Sequence, residues 1–412
     1  MGRMGPLLQY ALADYQPPLY HLIGYVTTHL FGFSEIALRL PSLFSGLFTV
    51  YFVVKIGELL GSRKLGNIAG LLAATNPLLV YYSVEGRTYA MTTFFVTASF
   101  YYFIRLLQDK NKIPRHFILY TLYTILTIWT SYLSWLVLLS QGIYVLWKKR
   151  YDILGIQIVS SLTLLAWLPS FLSSLGIGRS TMDTSPEWGR VVGGLSWKSL
   201  PLTWVKFVIG RIGFDNKIIY GAIVSVVALI HLYILKQVNL KKNHIFLVWI
   251  IPPVILGLFI AVALPVYSYF RVLFVLPAYL ILLAIGLTKL DNKKLQGCVM
   301  VIQLLCLGYF WISPRYHRED WRSLVRDLPY HAVVAMPSRA QIAPLHYYGL
   351  TQSVIEPSHE NIEGAVIYYI RYAEDLFDVS RRGQANFAAS GYTITKQQVY
   401  PGIQMDVYEN SN

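Results

Sequence analysis

Residues 218–235 read IIYGAIVSVVALIHLYIL, a run without a single charge, and residues 236–244 continue as KQVNLKKNH. About 20 apolar residues in a helix cross the roughly 30 Å of bilayer hydrocarbon. An uncharged run closed by lysines therefore predicts a transmembrane helix that ends at a cytoplasmic surface. Nine further runs have the same character: 40–60, 66–83, 88–107, 117–131, 133–147, 153–173, 245–264, 268–288 and 295–312. The pair at 117–147 is long for one span and short for two, and Trp129-Thr130-Ser131-Tyr132 supplies the expected tight turn. The fold class expected is an α-helical multi-pass membrane protein of about ten spans.

Composition agrees. Of 412 residues, 55% are apolar and 14% charged, and the mean hydropathy is +0.47. So few charges cannot coat a soluble surface of this size, and 31 Tyr, 20 Phe and 10 Trp suit a chain with much membrane–water interface. Disorder, a coiled coil and a disulfide scaffold are excluded, the last because the two cysteines, Cys298 and Cys306, share one apolar run.

The net charge of +14 is unevenly spread. Residues 1–312 hold 26 Lys and Arg against 10 Asp and Glu, whereas residues 313–412 hold 9 against 11. A basic excess confined to the membrane part is an orientation signal rather than a nucleic-acid signal. One alternate set of loops carries Arg63-Lys64, Lys110 to Arg115, Lys148-Lys149-Arg150, Lys236 to Lys242 and Lys293-Lys294. That set is expected in the cytoplasm. The other set is expected outside, in the plasma-membrane setting: Glu85 to Arg87, the 130–132 turn, the long loop 174–217, Pro265 to Arg271 and the tail after 313.

The two ends of the chain differ from its middle. Residues 1–36 form an extracytoplasmic juxtamembrane segment in which Leu19, Leu22, Ile23, Val26, Leu30 and Phe33 recur at helical spacing after Pro17-Pro18. That pattern suits an amphipathic helix lying in the interface, with a spanning helix as the alternative. No signal peptide precedes it, so a further N-terminal span upstream is expected to export it. Residues 37–312 are the transmembrane domain. Residues 313–412 read as a small α/β extracytoplasmic domain, with strands at 332–336 and 365–370, helices at 319–328 and 376–389, and a hairpin at 392–399 and 403–408.

No phosphate-cradling glycine loop, metal-spaced cysteine pair or nucleophile elbow is present. What remains are polar residues at the outer ends of spans. Asp14 stands before Tyr15-Gln16-Pro17-Pro18, on a segment that the prolines stiffen. It is placed to act as a general base or, more plainly, as a helix cap. Glu85 and Arg87 are the only charges between Lys64 and Arg105 and lie among Tyr81, Tyr82 and Tyr89. They either form a polar site or simply end two spans. Arg271 follows Tyr267 and Tyr269 inside the start of a span. A guanidinium there meets a lipid phosphate or snorkels to the interface. His231 reads as a packed polar group, and the two cysteines as lipid-facing or packed thiols. Loop residues Arg179, Asp183, Glu187, Trp188, Arg190, Trp197 and Lys198 form ordinary surface or fold over a headgroup.

Taken in order, four segments resemble the polyprenyl-phosphate-sugar-dependent glycosyltransferases of the GT-C superfamily. The nearest branch holds the protein O-mannosyltransferases and aminoarabinose transferases. The segments are Asp14 to Tyr20 (DYQPPLY), Ser34 to Ser42, Tyr81 to Ala90 and Tyr269 to Pro277, with Arg318 to Arg322 also family-like. The resemblance implies a GT-C-like fold and transfer of a monosaccharide from a polyprenyl-phosphate donor, on the outer face, to a lipid, glycan or protein acceptor. It implies catalytic roles for Asp14 and Glu85, and substrate contacts for Gln16, Tyr82, Arg87, Tyr132, Tyr267, Tyr269 and Arg271. No cofactor is expected, with a divalent metal left open, and no nucleic acid is a partner. Two departures stand out. Gln16 replaces the family's His, and the family's acidic pair after its first span has no counterpart in this chain. A flippase or transporter for polyprenyl-linked sugars and a non-catalytic relative are the competing readings.

Overall fold

Contacts divide the chain into two units, one running to Phe310 and one formed by Trp311 to Asn412. The structure, a computed structural model, describes residues 16–109, 113–184 and 195–410, with side chains for all of these except 177–184.

The first unit is helical. After Pro17-Pro18, α1 covers Leu19–Phe31, and its 13 residues rise only about 20 Å, too little to cross a bilayer. Leu22, Val26 and Leu30 stand exposed one turn apart on it, the apolar stripe of a helix lying along an interface. Ser34 caps α2 (Glu35–Leu60) by accepting from the Ala37 amide at 3.2 Å. Next come α3 (Arg63–Thr75) and α4 (Pro77–Ser83), α5 (Thr88–Gln108), α6 (Pro114–Ile128), α7 (Trp135–Trp147), α8 (Tyr151–Leu162) and α9 (Leu168–Thr184). Beyond them lie α10 (Ser199–Ile209), α11 (Lys217–Leu235), α12 (His244–Ile260), α13 (Leu276–Leu290) and α14 (Lys293–Ile312).

Among the described residues six helical stretches are long and apolar enough to cross a membrane: 35–60, 88–108, 151–176, 217–235, 273–290 and 293–312. The other four expected spans are present in shorter or broken form. The 66–83 run is cut at Asn76-Pro77 into α3 and α4, because Pro77 has no amide to continue the ladder. The 117–147 run is two helices, α6 and α7, with a short 3₁₀ segment at Tyr132–Ser134 completing the turn. The 245–264 run is α12, 17 residues.

Burial follows the membrane setting. In α11 only Val227, His231 and Ile234 are buried, at the spacing of one helix face, while Ile218, Val226 and Leu229 are exposed to the lipid side. The centre is aromatic. Phe100 of α5 stacks on Trp249 of α12 at 4.0 Å, and the Trp249 indole donates to the Phe274 carbonyl at 2.9 Å. His231 pairs with the Tyr279 hydroxyl at 2.5 Å, and Tyr279 also accepts from Trp204 at 3.1 Å. His231 is therefore a packed, bonded group, as its sequence setting predicts.

The second unit is a five-stranded sheet of order β2-β1-β3-β5-β4. The strands are β1 (Val333–Ala335), β2 (Val354–Ile355), β3 (Val366–Ile370), β4 (Tyr392–Tyr400) and β5 (Ile403–Asn410). The first three run parallel, and β5 pairs antiparallel with both β3 and β4. Alternation along β3 sends Tyr368 and Ile370 to one face and Ile367 and Tyr369 to the other. The first face packs on α15 (Trp321–Asp327) and α16 (Ala343–Tyr347) through Leu324 and Leu345. The second packs on Phe387 of α18 (Arg382–Ala389), which follows the short α17 (Glu374–Phe377). The expected strands, hairpin and first helix are present, the helix expected at 376–389 is broken into α17 and α18, and α16 and β2 are additions.

Candidate active site

The site is built around the break in the α3–α4 run. Asn76 is fully buried, and its side-chain oxygen accepts from the Leu78 and Leu79 amides at 3.0 and 3.1 Å, capping α4. Its side-chain nitrogen donates to the Phe207 carbonyl at 2.8 Å, so one amide joins α4 to α10. α4 ends against α2, where a Cβ on Gly46 would lie 2.1 Å from the Ser83 hydroxyl. The short α4 thus delivers Tyr81, Tyr82 and the Val84–Arg87 turn to a fixed place.

The turn is held from two sides. The Arg87 amide donates to the Glu85 carbonyl at 2.8 Å, and Ser42 of α2 donates to the Arg87 carbonyl at 3.2 Å. Tyr20 of α1 hydrogen-bonds Ser42 and lies within reach of the charges on Arg87 and Glu85. The predicted Glu85, Arg87 and Tyr82 therefore stand together, with Arg87 exposed and Glu85 half-buried.

Segment 261–272 forms the facing wall. Tyr89 meets Tyr82 and Phe270 edge to face, at 5.2 and 5.1 Å, and Phe270 lies tilted 6.3 Å from Tyr82. Tyr269 packs on Phe270 at 5.2 Å and acts electrostatically on Tyr82 and Arg211. Arg271 donates to the Pro265 carbonyl at 2.9 Å and bonds Tyr89. Burial lowers its pKa, and Tyr89 opposes that shift. Tyr267 is only 2% exposed and shares a hydrogen bond of 3.1 Å with Thr203, so it anchors this wall to α10.

Sequence reasoning missed α10 and the residues after it. Gly210, at φ +74°, lets the chain turn where a Cβ would sit 2.7 Å from Pro77 Cβ. Arg211 then lays its guanidinium carbon 4.6 Å over the Tyr81 ring and hydrogen-bonds the Tyr81 hydroxyl. It also feels the charge of Glu85. Half-buried Lys206 donates to the Ile212 carbonyl at 3.3 Å. Burial, with repulsion from Arg211 added, brings its pKa down to about 8. The sequence signal was the helical spacing of Thr203, Phe207 and Gly210 inside a stretch read as loop.

The remaining predicted residues fall elsewhere. Tyr132 accepts from Trp167 at 3.1 Å and packs on Phe171 at 4.8 Å. Trp129 in the same group donates to Thr163 at 3.0 Å, and its carbonyl accepts from the Leu19 amide at 3.2 Å. Gln16 turns its side-chain oxygen into a buried place where it has no hydrogen-bond partner among the described residues. Asp14 lies outside the described residues, as do the side chains of Arg179 to Arg190. Among the described residues no three His, Cys, Asp or Glu side chains gather as metal ligands do.

Residues 15–175 match the family model for dolichyl-phosphate-mannose-protein mannosyltransferase. The structure is similar to crystal structures of ArnT from Cupriavidus metallidurans. The chain has the fold of these structures. For the apo state of ArnT the TM-score is 0.57 at 11% identity, covering 95% of this chain and 87% of that one. For ArnT bound to undecaprenyl phosphate it is 0.56 at 11% identity, covering 95% and 88%. No curated protein matches by sequence. The family-model match covers Gln16, Tyr82, Glu85, Arg87 and Tyr132, and leaves the cationic residues Lys206, Arg211 and Arg271 outside it.

Proposed function

We propose that this protein is a membrane glycosyltransferase that moves a monosaccharide from a polyprenyl-phosphate donor to a lipid, glycan or protein acceptor on the extracytoplasmic face. The observation that carries the reading is that Glu85 lies within electrostatic reach of Arg211, whose own charge acts on Lys206, beside a wall of tyrosines that Arg271 joins through Tyr89. A solved relative in fold, ArnT, is bound to undecaprenyl phosphate, which supports a lipid-linked phosphate as the ligand class.

The division of labour follows from charge. Transfer breaks the bond between the anomeric carbon and the donor phosphate oxygen, and a hydroxyl oxygen of the acceptor takes its place. A carboxylate accepts the proton of that hydroxyl, the role assigned to Glu85 or Asp14. The departing phosphate carries its charge away unprotonated, so it needs cations already in position. Arg211 and Arg271 offer planar pairs of donors, and Lys206 a compact one. The Tyr82, Tyr89, Tyr269 and Phe270 rings give a sugar apolar faces and keep water scarce.

The test is transfer of label from radiolabelled polyprenyl-phosphate monosaccharides by the full chain in nanodiscs. Glu85→Gln, Arg211→Ala and Arg271→Ala should each lower turnover by roughly 100-fold. Full activity in all three would remove this assignment.

A further inference from the structure

At the lysine-rich end of the helical unit, away from the 261–272 wall, α7 and α12 part to leave an open groove of about 610 Å³. Its lining is almost wholly apolar. Ile143, Tyr144 and Trp147 supply one side at one-face helical spacing, and Leu247, Val248 and Ile251 supply the other. The volume lies within the range of ordinary ligand pockets.

The end of the groove is closed by polar groups already committed to one another. His244 Nδ1 sits 2.9 Å from the Lys241 carbonyl, which can only accept, so Nδ1 carries the proton. Its Nε2 lies 2.8 Å from the Tyr144 hydroxyl, so the ring bridges both helices. With tyrosine and histidine bonded across the gap, the positive rim is what remains for a ligand. Lys148 holds its ammonium 4.1 Å over the Trp147 ring, and Lys241 lines the groove opposite. Arg150 is taken up by Asp152 in two bonds of 2.9 Å. Lys148, Lys149, Lys241 and Lys242 make no ion pair among the described residues.

We propose that this groove holds one anionic phospholipid of the surrounding leaflet, with an acyl chain between α7 and α12 and the phosphate against Lys148 and Lys241. The occupant follows from the pairing of shape and charge. An apolar trough open to the bilayer suits a hydrocarbon chain, and a rim of unneutralised lysines selects a negative headgroup over a zwitterionic one. Trp147, 67% exposed beside the ammonium, is the interfacial aromatic that borders such a headgroup.

Native mass spectrometry of the full chain, offered dioleoylphosphatidylglycerol or dioleoylphosphatidylcholine, tests this. The wild type should retain one phosphatidylglycerol in preference to phosphatidylcholine. Lys148→Glu with Lys241→Glu should cut phosphatidylglycerol retention roughly tenfold and leave phosphatidylcholine unchanged. Val248→Trp, which fills the trough, should reduce both. Equal retention of the two lipids by the wild type overturns the proposal, and so does retention that the surface lysine variant fails to alter. Thermal unfolding of each variant confirms that it is folded, and the lysine variant alone suffices if Val248→Trp is not.

Discussion

Replacing Lys206 by Met should make this protein more stable and less able to hold a phosphate. Burial, with Arg211 nearby, brings the Lys206 pKa to about 8 from its usual 10.5. At about 1.4 kcal/mol per tenfold, that difference means that the protein penalises the charged form by about 3 kcal/mol. A single 3.3 Å bond to the Ile212 carbonyl offsets part of it. Unfolded, the lysine titrates near its ordinary value. Between about pH 8 and pH 10.5 the unfolded chain therefore binds more protons than the folded one, and stability rises with pH across that window. Below about pH 8 both states hold the proton, and the whole penalty is present. Lys206→Met removes it. The midpoint of thermal unfolding at about pH 7, followed by intrinsic fluorescence in detergent, should rise by roughly 3–6 °C. The upward slope above about pH 8 should disappear in the variant. Binding of undecaprenyl phosphate should move the other way, weakening in the wild type as pH passes about 8 and weak at every pH in the variant. A Met variant with the wild-type midpoint and the wild-type pH slope would refute the reasoning, because the ammonium would then not be held at a cost.

Three further outcomes are expected. Gly210→Ala combines a φ of +74° with a Cβ 2.7 Å from Pro77; it should destabilise the helical unit by about 1–3 kcal/mol, read as a lower unfolding midpoint. Arg211→Lys keeps the charge but loses the planar fork over Tyr81, and it should weaken undecaprenyl phosphate binding by roughly tenfold, against a much smaller effect for Tyr81→Phe. In the sheet unit, Asp406 is 1% exposed and accepts from Gln397 at 3.1 Å and Gln404 at 3.0 Å beside Arg371. Asp406→Ala should cost about 2–3 kcal/mol, seen as faster amide exchange along 403–410 with the helical unit unchanged.

How much of this was legible in the sequence depended on what each residue needed from its neighbours. Glu85, Arg87 and Arg271 stood out because a charge in an apolar run is conspicuous without any knowledge of the fold. The C-terminal strands were equally plain, since period-two alternation is local. Lys206 and Arg211 were not, because a long loop rich in basic residues hides two that matter. Their importance arises from α10 packing on Asn76 and Pro77, more than 120 positions earlier in the chain. The Asn-Pro pair itself was a readable break, overridden by the apolar run on both sides of it. β2 is two residues long and has no pattern to read. Tyr267 is expected at a ligand from sequence, and its burial and bond to Thr203, which depend on α10, could not be read there.

The contacts of α10 have a mechanical consequence. α10 is riveted at three points: Asn76 to the Phe207 carbonyl, Gly210 onto Pro77, and Thr203 to Tyr267. These contacts tie α10 both to α4 and to the 261–272 wall, so the three elements are joined through one short helix. α1 is different in kind. It has no buried residue along its length and is tethered near its first turn, at the Leu19 amide and the Tyr20 hydroxyl.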